Sequence, residues 1–310
     1  MIAIEELRKR YGDVVALDGV SLTVEEGESL GLVGTNGAGK TTLFRLLVGH
    51  ETPDSGRVRV AGVDPTAGVR VRERVGYLPE SAGFQPALTG REVLAFHAEM
   101  RGGGADSRVD TLLGVVGLAD AADRPVGGYS NGMNRRLGLA TALLGDPDVL
   151  LLDEPTAGLD PGGVAAFNRV VDRVREERDV TVVLSTHVLS EVEALCDRVA
   201  VLDDGEFEAV GTVDEVARAA AETVTVTARY ADPAEAVGRL RDTLSVADLA
   251  DETGVDLTRT PDGVDLSCDR DDVTAVLGAV VETDPESVAV DEPGLEAAFR
   301  EAVDLGGEPA

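Results

Sequence analysis

The first fifty residues have apolar positions spaced first as in strands and then as in a helix. The segments IAIEELRKRY and VVALDGVSLTVEEGE predict two strands, and the apolar run SLGLVG (29–34), which ends in glycine, predicts a buried strand. Leu43, Leu46 and Leu47 follow at positions i, i+3 and i+4, which predicts a helix with one apolar face. The stretch GTNGAGKTT therefore lies between a strand and a helix.

The middle of the chain alternates between the two kinds of pattern. The segment GRVRVAGVD predicts a hairpin, and residues 86–145 are mainly helical in pattern. The apolar runs DVLLLDEP (148–155) and DVTVVLSTH (179–187) predict strands on either side of a helix over about 161–178. Strands that alternate with helices predict an α/β fold with a largely parallel sheet, in which ligands bind at the carboxyl ends of strands.

The last third of the chain has a different pattern of apolar and polar residues. Its pattern predicts the order strand, helix, strand, strand, helix, strand, followed by a final helix over GLEAAFREAV. This β-α-β-β-α-β order is typical of a small ferredoxin-like α+β domain. We therefore predict two domains, 1–218 and 219–310.

Length and composition favour a globular protein outside the membrane. With 310 residues, of which 43% are hydrophobic, the chain can bury a large core. No apolar run approaches the roughly 20 residues that a membrane-spanning helix needs, and the N-terminus lacks a signal-peptide pattern. We expect a cytoplasmic protein in which Cys196 and Cys268 are core residues rather than part of a disulfide framework or metal site.

The charge of the chain is strongly negative. The formal net charge is −30, and residues 221–310 carry 22 acidic and only 6 basic residues. Such a field repels nucleic acid, so we expect no nucleic-acid partner. Only Lys9 and Lys40 are lysines, and the other 26 basic residues are arginines. This acidic, lysine-poor composition leads to the hypothesis of a halophilic source, because molar salt screens the repulsion between carboxylates.

Two motifs have the chemistry of nucleotide hydrolysis. Residues 34–41, GTNGAGKT, fit G-x-x-x-x-G-K-[ST] at every position, and such a loop binds phosphate through its backbone N–H groups. Lys40 would reach the β- and γ-phosphates, and Thr41 would bind Mg²⁺. Asp153 and Glu154 end the strand DVLLLDEP, where Asp153 would hold Mg²⁺ and Glu154 would polarise the attacking water. A glycine-rich turn and an acidic strand end are the plainer alternatives.

The segment YSNGMNRRL resembles the LSGGQ signature of ATP-binding cassette (ABC) ATPases. Ser130 and Gly132 match the signature, whereas Asn131 and Met133 differ from it. Ser130 precedes Asp153 by 23 residues, a spacing usual in that family. A helix start rich in small residues suits an anion, although a simple helix cap would also explain it.

Other segments strengthen this resemblance, which covers roughly residues 2–215. AGLDP is similar to the family's D-loop and implies a role for Asp160 across a dimer interface, and STH implies that His187 contacts the γ-phosphate. Tyr11 resembles the aromatic residue that stacks on adenine, with a half-buried strand tyrosine as the alternative. Where the family usually has glutamine, this chain has Glu80. The resemblance implies that Glu80 either contacts Mg²⁺ or senses the membrane partner.

The resemblance implies a P-loop NTPase fold of the ABC ATPase type, with a mixed sheet and a helical signature subdomain over about 86–145. It implies catalytic roles for Glu154, His187 and Lys40, and metal contacts from Thr41, Asp153 and Glu80. The implied nucleotide-binding set consists of Tyr11, Gly34, Thr35, Asn36, Gly37, Ala38, Gly39, Lys40, Thr41, Thr42, Ser130, Gly132 and Asp160.

The function that the resemblance implies is that of an ATP-hydrolysing subunit of an exporter. Two copies would enclose two ATP molecules with Mg²⁺ and drive a separate membrane permease from the inner face of the cell membrane. The C-terminal part resembles that of ABC-2 type drug, sodium and lipid export ATPases and would either bind a regulator or steady the dimer. A soluble ABC-type ATPase of translation or DNA repair is the alternative, which the single cassette and the acidic charge disfavour.

Overall fold

The protein divides into two compact units in a computed structural model. The units are Met1–Val213 and Asp214–Ala310. The structure describes residues 1–68, 70–101, 106–219, 223–246, 255–291, 294–296 and 299. The domain boundary between residues 218 and 219 stays a prediction. No helix within these described residues is long and apolar enough to cross a membrane.

The first unit contains two sheets. An antiparallel sheet has the order β2-β1-β4, and a six-stranded sheet has the order β5-β6-β7-β3-β8-β9, parallel except for the antiparallel edge strand β9. The strands are β1 (Ile2–Tyr11), β2 (Val14–Val24), β3 (Ser29–Gly34), β4 (Ser55–Val60), β5 (Val75–Leu78), β6 (Val149–Asp153), β7 (Thr181–Thr186), β8 (Arg198–Asp203) and β9 (Glu206–Thr212).

Seven α-helices lie within the described residues of this unit. Three of them, α3 to α5, lie in the segment predicted to be helical, and α6 connects β6 to β7 as predicted. The helices are α1 (Lys40–Leu47), α2 (Val71–Arg74), α3 (Gly90–Met100), α4 (Asp106–Val115), α5 (Asn131–Leu143), α6 (Pro161–Arg178) and α7 (Leu189–Leu195). The α/β fold expected from the alternating patterns is confirmed.

Strand β6 lies between two hydrophobic cores. All five of its residues are buried, and successive side chains point to opposite faces of the sheet. Leu150 and Leu152 pack in one core with Phe167 of α6, whereas Val149 and Leu151 pack in the other with Phe44 of α1. A strand covered on both faces explains the continuous apolar run that predicted it.

The predicted hairpin over GRVRVAGVD is confirmed only at its turn, where Val60 and Val63 exchange backbone hydrogen bonds. Strand β4 pairs with β1 instead, with Val60 opposite Ile2, and the turn after it forms only the single bridge between Val60 and Val63. The apolar positions of the segment are satisfied by the sheet that covers α1, so the local pattern indicated a strand but not its partner.

Helix α8 (Val213–Ala219) begins at the last residue of the first unit and continues into the second. The rest of the second unit is an antiparallel sheet with two helices. Its elements are β10 (Thr223–Arg229), α9 (Pro233–Val246), β11 (Asp256–Arg259), β12 (Gly263–Asp269), α10 (Val273–Glu282) and β13 (Ser287–Asp291), with the sheet order β11-β12-β10-β13. This is the predicted order of strands and helices. The predicted final helix lies largely outside the described residues.

Candidate active site

The glycine-rich loop between β3 and α1 requires its glycines. Gly39 has a φ angle of 112°, and a Cβ added there would lie 2.4 Å from the Ala16 carbonyl oxygen. A Cβ on Gly34 would lie 2.3 Å from the Leu202 carbonyl oxygen. Any larger residue at these positions would force the backbone apart, so the loop can turn tightly into the helix only as this sequence has it.

Lys40 is held inside this loop. Its side chain is 7% exposed, and its Nζ donates hydrogen bonds to the carbonyl oxygens of Gly34 (2.8 Å) and Thr35 (3.1 Å). The Nζ atom also lies 3.6 Å from Oε1 of Glu154. The Thr35 hydroxyl donates to Asp203 at the end of β8 (3.0 Å), which ties the loop to the neighbouring strand.

Asp153 ends β6 in a shell of hydroxyl groups. Its side chain is 1% exposed; Oδ1 accepts from Ser185 Oγ (2.7 Å) and, at longer range, from Thr41 Oγ1 (3.5 Å), while Oδ2 accepts from the Tyr77 hydroxyl (3.2 Å). Burial raises the pKa of Tyr77, and the charge of Asp153 raises it further. The phenol therefore stays protonated and keeps donating to this carboxylate.

Glu154 occupies an unusual backbone conformation for a residue with a Cβ. Its φ angle is 44°, in the left-handed region, and its N–H donates to both the carbonyl oxygen and the Oγ of Ser185, each at 3.1 Å. Its Oε2 lies 2.9 Å from Nδ1 of His187. The turn thus aims one carboxylate toward Lys40 and His187 at the same time.

Lys40, Glu154 and His187 line a cleft of about 350 Å³ at the carboxyl ends of the parallel strands, whereas Gly34 and Asp153 are not among its lining residues. Of the residues predicted from the sequence, it is lined by Thr35, Asn36, Gly37, Gly39, Lys40, Thr41, Thr42, Glu80, Glu154 and His187. Ala38 is instead buried in the core beside α1. Backbone N–H groups at a helix start, one ammonium and carboxylates make this cleft suited to a phosphate chain and a cation.

The predicted signature and D-loop residues line a second cleft. Ser130 caps α5 by accepting from the Met133 N–H (3.3 Å), and Asp160 caps α6 by accepting from the Gly163 N–H (2.8 Å). Both residues line this second cleft together with Gly132, and its lining shares no residue with the first. The structure therefore does not bring these three residues to the phosphate loop of their own chain.

Tyr11 lies at the end of β1 and lines neither cleft. Its side chain is 41% exposed, and the Nζ of Lys9 lies 5.2 Å from the centroid of its ring. The ring is therefore available to stack on a planar group.

Sequence reasoning missed three residues that support the site. Tyr77 and Ser185 hold Asp153, and the Arg135 guanidinium donates to the backbone carbonyl oxygens of Pro79, Asp153 and Glu154. Burial lowers the pKa of Arg135, although the charges of nearby carboxylates oppose this shift. All three lie inside segments that the motifs single out, but only packing reveals their partners.

Comparisons with known proteins agree with these observations. The ABC transporter family profile, ABC_tran, matches residues 17–157. The chain is 43% identical over 210 residues to the uncharacterized ABC transporter ATP-binding protein YdbJ of Bacillus subtilis, which covers 67% of this chain and 68% of that protein. It is 38% identical over 307 residues to the daunorubicin resistance ATP-binding protein DrrA3 of Streptomyces coeruleorubidus, covering 96% and 94% respectively.

Solved structures show the same likeness. CbiO1 of Clostridium perfringens, described as part of the ABC transporter complex CbiONQ, superposes with a TM-score of 0.64 at 32% identity, covering 69% of this chain and 89% of that chain. The predicted resemblance is thus confirmed by sequence and by fold. From the phosphate loop, the acidic strand end and these relatives together, it follows that this chain belongs to the ABC transporter family and is an ATP-binding, ATP-hydrolysing subunit.

Proposed function

We propose that two copies of this chain enclose two ATP molecules and drive export through a separate membrane permease. The observation that carries the proposal is the separation of the two clefts on one chain. One cleft contains the phosphate loop but no signature residues, and the other contains signature residues but no phosphate loop. When a second copy faces the first, each cleft supplies what the other lacks. A two-fold axis then makes both nucleotide sites identical.

In this arrangement the chain's own residues act on the γ-phosphate. Lys40 and the loop N–H groups hold the phosphates, while Ser130, Gly132 and Asp160 of the second copy close the site. Glu154 accepts a proton from the attacking water, and His187, 2.9 Å from its carboxylate, contacts the γ-phosphate and orients that water.

Adenine stacks on Tyr11; an unaltered KM for ATP in Tyr11→Ala would contradict that assignment.

The donor set at Asp153 fits Mg²⁺. Within the described residues no group of three or more His, Cys, Asp or Glu side chains could hold a metal ion. Mg²⁺ usually takes one or two carboxylates and completes its shell with phosphate and water, which matches Asp153 beside the Thr41 hydroxyl and Glu80 at the cleft. The ion would neutralise charge between the phosphates; ATP turnover that persisted fully in EDTA would contradict this role.

The relatives support the direction of transport. DrrA3, which aligns with nearly the whole chain, is named for resistance to daunorubicin, and this name supports export. CbiO1 is described as part of a transporter complex, which supports a permease partner and indicates no direction. We infer that this chain is cytoplasmic and peripheral on the inner face of the membrane through its permease, and that it has no nucleic-acid partner. Failure of the chain to co-purify with a co-expressed permease from its own operon would contradict this placement.

The shared sites can be tested by mixing two inactive variants. Lys40→Met should disable the phosphate-loop cleft and Gly132→Asp the signature cleft, because aspartate there repels the γ-phosphate. A mixed dimer retains one site in which both halves are intact, so the equimolar mixture should recover up to about a quarter of wild-type ATPase activity from random pairing. The measurement is phosphate release before and after mixing.

The matched control mixes Lys40→Met with Thr41→Val, which damages the same cleft on both chains. That mixture should recover no activity, since every site in it has a damaged phosphate loop. If the Lys40→Met and Gly132→Asp mixture were as inactive as this control, shared sites would be excluded.

The acidic surface leads to a separate prediction about salt. We infer that a halophilic cytoplasm suits this chain, because the Debye length falls from about 10 Å at 0.1 M salt to about 3 Å at 1 M. The melting temperature, followed by circular dichroism, should therefore rise from 0.1 to 2 M KCl as repulsion within the −30 net charge is screened. A melting temperature independent of KCl would remove this inference.

A further inference from the structure

Arg135 is a buried cation in the helix that carries the signature residues. It lies in α5, which begins next to Ser130, and it is 7% exposed. Removing a guanidinium from water is unfavourable unless its N–H groups find partners in a suitable arrangement. The partners therefore show what this side chain is placed to do.

The guanidinium joins three separate segments. Nη1 donates to the carbonyl oxygen of Pro79 (2.8 Å), the residue before Glu80. Nη2 donates to the carbonyl oxygen of Glu154 by a short hydrogen bond and to that of Asp153 at 3.4 Å. One planar fork thus connects the signature helix to both carboxylate-bearing turns of the phosphate cleft.

The contact with Glu154 falls on a strained peptide. A left-handed φ is unfavourable for a residue with a Cβ, and it persists only where the surroundings fix it. Ser185 fixes the N–H side of this residue, and Arg135 fixes the carbonyl side. Without the second contact the turn can relax toward an ordinary conformation, which moves the carboxylate away from the attacking water.

We propose that Arg135 is a positioning residue that holds the Glu154 carboxylate in its hydrolytic position and links that position to the signature helix. The proposal rests on the proposed role of Glu154 as the base. Displacement of α5 withdraws the donor and leaves the base misplaced, so nucleotide binds but is not hydrolysed. The signature cleft of a chain is thereby coupled to hydrolysis in its own phosphate cleft.

The test uses the full-length chain with Arg135→Lys, which keeps the charge but lacks the two-armed fork. Loss of one hydrogen bond from a charged donor should lower kcat about 10- to 100-fold. The KM for ATP and the binding of a fluorescent ATP analogue should change by no more than about twofold, because no phosphate contact is lost. Millimolar guanidinium should restore part of kcat in Arg135→Ala.

Arg175→Lys is the matched control. Arg175 lies in α6, where its Nη1 donates to the Leu195 carbonyl oxygen (2.7 Å) and its Nη2 to Asp197 (2.9 Å), away from both clefts. The control measures how much kcat falls when a carbonyl-binding arginine away from both clefts is replaced by lysine. Its kcat should remain within about twofold of wild type.

A double-mutant cycle distinguishes positioning from a general packing defect. In the Glu154→Gln background, Arg135→Lys should lower single-turnover hydrolysis by no more than about twofold, since the group that it positions is already gone. An equal loss in both backgrounds, or an unchanged kcat in Arg135→Lys alone, overturns the proposal. Full turnover by Glu154→Gln alone would instead overturn the assignment of the base, so the two failures are separable.

Discussion

Glu154→Gln should hydrolyse ATP about 10²- to 10⁴-fold more slowly than the wild-type chain, the range expected when a general base is lost. Glutamine has nearly the same shape and can keep the contact with His187, whose Nδ1 lies 2.9 Å from Oε2. It cannot accept a proton from water at neutral pH. The loss should therefore appear in kcat, measured by phosphate release, with little change in ATP affinity.

The same variant should accumulate as a dimer in the presence of ATP. If hydrolysis opens the closed pair, a chain that binds ATP but hydrolyses it slowly must remain closed for longer. Size-exclusion chromatography with light scattering, in ATP and without nucleotide, measures this shift. The neutral amide also removes the ion-pair partner of Lys40, 3.6 Å from Oε1, so ATP binding should be unimpaired or tighter.

The control for this prediction is Glu206→Gln, which makes the same chemical change at an exposed position on β9. Its turnover should equal that of the wild type. Undiminished hydrolysis in Glu154→Gln would show that another group activates the water, and a monomer in ATP would argue against hydrolysis-driven opening.

Lys40→Arg should lose about 10²- to 10³-fold in kcat/KM for ATP, the usual cost of removing a donor that stabilises charge in the transition state. The substitution keeps the charge, so the loss must come from shape. Isothermal titration with a non-hydrolysable ATP analogue and steady-state ATPase assays separate the binding part of this loss from the catalytic part.

The structure gives the reason that shape matters here. The Nζ of Lys40 already lies within 3.1 Å of two loop carbonyl oxygens, and its side chain is 7% exposed. A compact ammonium can rotate from these carbonyls to phosphate oxygens within the same small space. A planar guanidinium needs more room, which this loop cannot provide because Gly34 and Gly39 already abut the backbone of other strands.

The chain contains its own control for this substitution. Lys9, the other lysine, lies on β1 and donates to the Thr52 carbonyl oxygen (2.8 Å). Lys9→Arg retains a cation beside the Tyr11 ring and outside the phosphate-loop cleft, so it should leave kcat unchanged. Equal effects of the two substitutions, or normal activity in Lys40→Arg, would show that the loop does not discriminate between the two cations.

The sequence predicts the site best where the chemistry is local. The phosphate loop and the strand before Asp153 could be identified because each is a continuous segment whose residue types have one strong physical reason. The strand partner of β4 could not, since register with Ile2 depends on a segment more than fifty residues away. Tyr77 and Asp153 are separated by 76 residues, and Arg135 and Pro79 by 56, so their hydrogen bonds have no local signal.

The separation of the two clefts is a further feature that the fold supplies. The motifs predict nucleotide binding by Ser130, Gly132 and Asp160, but no motif indicates that these residues lie apart from the phosphate loop of their own chain. The caps of α5 and α6 bring these residues together at one surface, and the strand ends bring Lys40 and Glu154 together at another.

The position of β6 between two cores has a consequence for heat inactivation. A shift of this strand by one residue would send Leu150 and Leu152 into the space that Val149 and Leu151 occupy, and both packings would fail together. Asp153 ends that strand and Glu154 follows it directly, so neither residue can leave the site by slippage while the cores stay intact. Heating should therefore displace the Asp153–Glu154 turn only when the first unit loses the two packed cores that hold β6.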